Sequence, residues 1–249
     1  MKNKFIIITP EDYYFSIPIV LKIMNNDLLR NKIGGIIVKK NFFSLKKIFI
    51  SFFIFNIFFI LKKLLLSFKV KKEFKVFKNN YNNFITVESL KSDKCYNFIE
   101  AYDNPSLIVL SLDEILSKNF IDKFNFKINF HCSNLPINRR LFPLFYSYLN
   151  NDEMMYFCFH FIDEKIDNGE IIFKKSLKKD YFPLSYFYEK AFDIFYDNFH
   201  YLTSQNYTKE HNDVSISSYN FYPSLKNLLL FYYLNIKRIF LLLNVKQNN

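Results

Sequence analysis

Short apolar runs separated by longer mixed stretches set the rhythm of the first half of the chain. Phe5-Ile6-Ile7-Ile8-Thr9 is apolar at consecutive positions, the pattern of a strand buried on both faces. Pro10-Glu11-Asp12 then reads as a turn whose acids suit a helix start, and the helix is predicted to run to about Met24. Further strands are predicted from Lys32 to Val38, Phe84 to Val87, Ser106 to Leu110 and Lys127 to His131, with a helix opening at Ser92 and another around Glu114 to Lys123. Strands alternating with helix-length segments require crossover connections. The expected fold is therefore α/β, with a mainly parallel central sheet flanked by helices, in which ligands collect at the carboxyl ends of the strands.

Between Lys39 and Lys78 the rhythm breaks. Lysines 39, 40, 46, 47, 62, 63, 69, 71, 72, 75 and 78 stand there against the single acid Glu73, so this insertion carries +10 of the chain's net +11. Its centre, Ile48 to Leu61, is a 14-residue run interrupted only by Ser51 and Asn56. As one helix it would be about 21 Å long, short of the roughly 30 Å hydrocarbon layer of a bilayer. Two readings remain: a Phe- and Ile-rich segment lying in an anionic membrane interface, or a core helix flanked by solvated lysines. Nucleic acid is a poorer partner, because the aromatics form one apolar block and arginines are few. Leu225 to Val245 repeats the theme more mildly, either beside the insertion as one membrane-facing patch or as a cap on the core.

Composition changes the picture in two ways. Thirty-three Phe and only three Gly among 249 residues resemble the usage of a very AT-rich genome, so each retained glycine is informative. Three widely spaced cysteines, Cys95, Cys132 and Cys158, and no signal-like leader point to a reducing, cytoplasmic setting, peripheral to the inner membrane face if the insertion binds lipid. His131, Cys132, Cys158 and His160 make a weak metal set, since neighbours on a strand point to opposite faces; no metal is expected.

The chemistry concentrates at Asn129-Phe130-His131-Cys132-Ser133-Asn134-Leu135-Pro136, followed by His160-Phe161-Ile162-Asp163 and Asp167-Asn168-Gly169. Asn129 and His131, two apart on a strand, share one face and can reach one carbonyl. Asp167, in a Gly-containing turn after a strand from Met154 to Ile162, can orient the imidazole and take up a proton. Together they could polarise an acyl carbonyl, stabilise its oxyanion and deprotonate an attacking amine. Singly, each residue also suits a plain structural role.

Asn129-x-His131-x-Ser133-x-Leu135-Pro136 resembles the Asn-x-His-x-Ser-Leu-Leu-Pro signature of the folate-dependent formyltransferases. The likeness continues at Arg139, at Pro143 and through Phe161 to Ile171, which is similar to the family segment ending in Asp-x-Gly-x-Ile. Thr9-Pro10-Glu11-Asp12 with Pro18 resembles the start of the methionyl-tRNA branch. The resemblance covers roughly residues 1–38 and 84–200. It implies a Rossmann-like formyltransferase domain, a catalytic trio of Asn129, His131 and Asp167, a formyl group taken from 10-formyltetrahydrofolate, and a folate site bordered by Leu110, Leu112, Ile115, Leu116, Ser133 and His160. Arg140 and Asp113 stand where the family usually has Gly, and Asn134 where Leu is common.

Residues 1–205 are read as the catalytic domain and 206–249 as a helical carboxyl-terminal extension. After a helix from Ser185 to Ser204 the remaining 45 residues look helical rather than like the five-stranded barrel that helps the methionyl-tRNA branch hold tRNA. The expected acceptor is therefore a small primary amine, foremost that of a nucleotide-linked amino sugar in surface-glycan biosynthesis. Action on aminoacyl-tRNA and a degenerate membrane-surface relative are the alternatives, and a homodimer is a compatible assembly.

Overall fold

The computed structural model describes residues 4–41, 45–180 and 183–247; residues 42–44 of the insertion and 248–249 at the carboxyl end lie outside the described residues. The apolar runs become strands β1 (Phe5–Pro10), β2 (Ile33–Lys39), β3 (Phe84–Val87), β4 (Ser106–Leu110) and β5 (Phe126–His131). These five pair in parallel. Ile6, Ile7, Ile8, Ile36, Ile37, Leu107 and Ile108 are fully buried, as residues of strands covered on both faces must be. Two strands of two residues each, β6 (Arg139–Arg140) and β9 (Tyr219–Asn220), form a small second sheet. The long strands β7 (Met154–Phe161) and β8 (Ile171–Lys178) complete the main sheet in the order β3-β2-β1-β4-β5-β7-β8; β7 runs antiparallel to β5, and β8, antiparallel to β7, returns to the direction of the first five strands.

Helices cover both faces. The amino-terminal part has α1 (Ser16–Met24) and the one-turn α2 (Asp27–Arg30), whose N-cap Asn26 accepts from the N–H groups of Leu28 and Leu29. The insertion folds as α3 (Leu45–Ile54) and α4 (Ile57–Asn80). Then come α5 (Asp93–Glu100), α6 (Lys118–Ile121), α7 (Pro143–Leu149), α8 (Leu184–Asp197), α9 (Phe199–Ser204) and α10 (Leu225–Gln247). One face of the sheet is packed by a Phe-rich cluster that includes Phe130, Phe145, Phe157, Phe159, Phe187 and Phe195, and the other by a smaller cluster around Ile8, Leu107, Phe120 and Phe124.

Two expectations need correction. The apolar run Ile48 to Leu61 is not one helix: it breaks at Phe55-Asn56, where Asn56 turns its side-chain oxygen to the Phe59 N–H at 2.8 Å and caps α4. The helix expected around Glu114 to Lys123 shrinks to Lys118–Ile121, because Ser117 caps it and residues 111–116 form a loop starting with Ser111 in the left-handed region (φ 58°). The three glycines repay the weight placed on them. A Cβ at Gly34, Gly35 or Gly169 would approach another atom to 2.8, 2.7 or 2.0 Å respectively.

The insertion is both core and surface. Ile50, Ile54, Ser67 and Phe74 are buried, yet Ile57, Phe58, Leu61, Leu64, Leu65 and Phe68 recur at spacings of three and four along the outer side of α4 and are exposed. On α3, Leu45, Phe49 and Phe52 are exposed in the same way, as are Leu225, Leu229, Tyr232, Tyr233 and Ile236 on α10, which packs against α3. No described helix is long and apolar enough to cross a membrane.

Candidate active site

β5 ends at His131, and its pairing with β7 sets Asn129 opposite His160 and His131 opposite Cys158. The carboxyl end of the parallel sheet therefore presents Asn129, His131 and His160 together. Asp167 arrives from the loop after β7 in a left-handed conformation (φ 50°). The Asn129 amide donates to Asp167 Oδ1 at 3.3 Å and to His160 Nε2 at 3.1 Å. His131 Nδ1 stands 3.8 Å from Asp167 Oδ2, and His160 Nε2 stands 3.5 Å from Asp167 Oδ1.

Carbonyl partners fix the tautomers. His131 Nε2 meets the Asn138 carbonyl at 3.1 Å and His160 Nδ1 meets the Phe161 carbonyl at 2.8 Å. A carbonyl only accepts, so each of these nitrogens carries the hydrogen. Neutral His131 thus turns an unprotonated Nδ1 toward the carboxylate, where an incoming proton would be stabilised.

Backbone and buried polar groups hold the Asp167 turn. The Arg140 N–H donates to Asp167 Oδ2 at 2.7 Å. Arg139, only 1 % exposed, places its guanidinium on the Ile166 carbonyl and over the Tyr219 ring. The Asn212 amide donates to the carbonyls of Asp167 and Gly169 at 3.0 and 3.2 Å. Arg140 itself is left-handed (φ 78°), a conformation a glycine would adopt without cost, and its guanidinium lies over Phe221. The replacement of the usual Gly therefore keeps the bend and keeps the N–H aimed at the carboxylate.

Charge follows from this geometry. Burial pushes the His131 imidazole below its ordinary value and outweighs the nearby Asp167 carboxylate, so the ring rests neutral at pH 7. Burial alone would raise the Asp167 carboxyl, but the histidine rings and the Arg140 N–H override it and hold the group well below the usual carboxylate range. The unfolded chain therefore binds more protons than the native one as pH falls. The contribution of His131 to stability is complete above about pH 6.5 and is lost on acidification, and that of Asp167 is lost only below about pH 4. Denaturant titrations are expected to give a midpoint that falls between pH 7 and pH 5 in the wild type and falls less steeply in His131→Asn. An identical slope in the two proteins would refute the neutral resting state.

These groups line a cleft of about 1270 Å³. Leu112, Ile115, Leu116 and His160 all line it. Leu110 and Ser133 lie elsewhere. Leu110 is buried in the main core, since alternation along the chain sends Val109 and Ser111 to the cleft instead, and the wholly buried Ser133 is not among the lining residues. Sequence reasoning missed the loop 11–15 after β1, the backbone N–H of Arg140, and Asn138 and Asn212 as supports. It also missed that the insertion forms a wall of the cleft. There Lys47 pairs with Asp113, and Lys39 with Glu114 at 2.6 Å, which ties the insertion to the loop after β4. Lys47 draws the Asp113 carboxyl down against its partial burial.

No protein-family model matches the sequence. A methionyl-tRNA formyltransferase from Finegoldia magna is 25 % identical over 97 residues, which is 39 % of this chain and 31 % of that relative's length. Solved structures match far more of the chain. A sugar 3N-formyl transferase crystallised in the presence of dTDP and 5-N-formyl-THF superposes with a TM-score of 0.55 at 20 % identity, covering 93 % of this chain and 80 % of the other. The N-formyltransferase from Helicobacter canadensis, in complex with folinic acid and dTDP-3-aminofucose, gives 0.54 at 18 % over 92 % and 80 %. Methionyl-tRNA formyltransferase from Clostridium thermocellum gives 0.54 at 14 % over 92 % and 81 %. With its parallel sheet, its antiparallel β7 and its polar cluster at the end of β5, the chain has the fold of the formyltransferases.

Proposed function

We propose that this protein transfers a formyl group from 10-formyltetrahydrofolate to the primary amine of a phosphate-activated amino sugar, of the nucleotide-linked kind in the first instance. The observation that carries this reading is the convergence of Asn129, His131 and His160 on Asp167, at 3.3, 3.8 and 3.5 Å from its carboxylate, in one cleft. Beside them Leu112, Ile115, Leu116 and Ile162 offer the apolar surface that a flat folate ring needs. Two formyltransferases of the same fold, one crystallised in the presence of 5-N-formyl-THF and dTDP and the other in complex with folinic acid and dTDP-3-aminofucose, support both substrates.

In this mechanism the Asn129 amide turns from His160 to the formyl oxygen and, with His131 once protonated at Nδ1, stabilises the oxyanion formed as the amine attacks. Asp167 takes the amine proton through water and passes it to His131 Nδ1, and the imidazolium gives it up to the folate nitrogen as the tetrahedral intermediate collapses. One carbon–nitrogen bond forms, another breaks, and the proton passes from acceptor to donor nitrogen. Calorimetry with 5-formyltetrahydrofolate tests the donor site: saturable binding is expected, weakened at least tenfold in Leu112→Asp. No binding to folded protein would end this reading.

A second observation favours docking at an anionic bilayer. The exposed apolar stripe of α4 is bordered by exposed Lys62, Lys69, Lys72 and Lys75. Two copies of so cationic a face repel one another, whereas anionic lipid complements both its charge and its apolar surface. This would place the enzyme peripherally at the cytoplasmic membrane face. Sedimentation with phosphatidylglycerol vesicles is expected and should be lost in Phe58→Glu/Leu65→Glu; indifference of the wild type to anionic lipid would remove the idea.

A further inference from the structure

The lining of the cleft and the exposed apolar face are one surface. Phe52 of α3 and Leu64 of α4 both line the cleft and are 56 % and 39 % exposed. Phe55, Phe59 and Ile60 continue the apolar lining inward from them, while Phe58, Leu65 and Phe68 continue it outward, at 80, 73 and 68 % exposure. An apolar path therefore leads from the outer face of the insertion into the chamber that holds His131. Two cations from α4, Lys63 and Lys71, also line the chamber. Lys63 is held by Glu189 at 3.1 Å and lies over the Phe15 ring, whereas Lys71 lies 5.3 Å from the Tyr13 ring centroid with no carboxylate paired to it among the described residues.

A free nucleotide gains little from such a path. A hydrocarbon chain gains with every methylene it removes from water, and a phosphate at its head can be met by the Lys71 ammonium at the cleft wall. From this continuity we infer that the acceptor is an amino sugar joined through phosphate to a lipid, entering from the bilayer along α3 and α4. The inference rests on the formyl-transfer reading and changes only what the sugar phosphate is attached to. The bonds made and broken are the same.

The test compares one amino sugar in two forms, linked to thymidine diphosphate in solution and linked to farnesyl diphosphate in phosphatidylglycerol vesicles, with the full chain and 10-formyltetrahydrofolate. The expected result is a kcat/KM at least tenfold higher on the farnesyl-linked form, and a ratio of the two that falls at least tenfold in Phe52→Ser/Leu64→Ser. Equal or better use of the thymidine form overturns the lipid-linked acceptor and leaves the formyl-transfer reading standing. Formylation of neither form overturns both.

Discussion

Asp167→Asn is expected to lower the rate of formyl transfer by roughly two orders of magnitude or more while leaving the fold intact. Asparagine has nearly the same shape, so it can still accept the Arg140 N–H that now lies 2.7 Å from Oδ2. It cannot supply a negative charge to His131 Nδ1, 3.8 Å away, nor accept a proton. A proton arriving on a buried imidazole would then stand without its counter-ion, which is costly in a partly desolvated site. Asn129→Ala attacks the same step from the other side by removing the amide donor, and loss of one such donor costs roughly 10²- to 10³-fold in rate. Single-turnover rates with saturating donor, read beside denaturation midpoints, separate chemistry from folding. Rates within twofold of wild type in both variants would mean that this cluster is structural.

Gly169→Ala is expected to be the most damaging small substitution in the chain. The added Cβ would lie 2.0 Å from the Phe161 carbonyl oxygen and 2.7 Å from its carbon. Both atoms belong to backbone that cannot step aside, because the Phe161 N–H is bonded to the Glu170 carbonyl at 2.9 Å and that segment anchors β7 to β8. Moving the 166–169 turn instead would break the Asn212 bonds and carry Asp167 out of the cluster. A cost of about 3 kcal/mol or more follows, beyond ordinary overpacking. In a chain of this size that is a fall of roughly 6 to 12 °C in Tm. Gly35→Ala serves as control: its Cβ would meet the ends of the Phe98 and Tyr102 rings, which can rotate away, so its effect should be smaller. A Gly169→Ala protein melting within 2 °C of wild type would show that the turn has slack.

Local pattern was enough wherever a residue's role depended on its near neighbours. The unbroken apolar runs could be satisfied only in strands covered on both faces, and the helix-length gaps between them required parallel crossovers. Asn129 and His131 were legible as a pair because two positions along a strand share a side, and their spacing to Asp167 could be read against a known signature. The scarcity of glycine made Gly34, Gly35 and Gly169 stand out, and steric contact explains each one. Leu110 and Ser133 were misplaced for the opposite reason. At the end of a strand one residue of offset reverses the side chain, and membership of a signature does not say which way a residue points.

The sequence by itself determined the α/β alternation, the basic and apolar character of the insertion, and the identities of the polar residues at the end of β5, since these depend on the order of side chains along a few turns or one strand. Tertiary structure alone decided what surrounds them: that Asn212 holds the Asp167 turn from 45 residues away, that the N–H of Arg140 rather than its guanidinium meets the carboxylate, and that α3 and α4 wall the cleft with Lys47 on Asp113. Such contacts join chain segments whose meeting is set by how whole helices pack on the sheet, and no local pattern of residues encodes that distance.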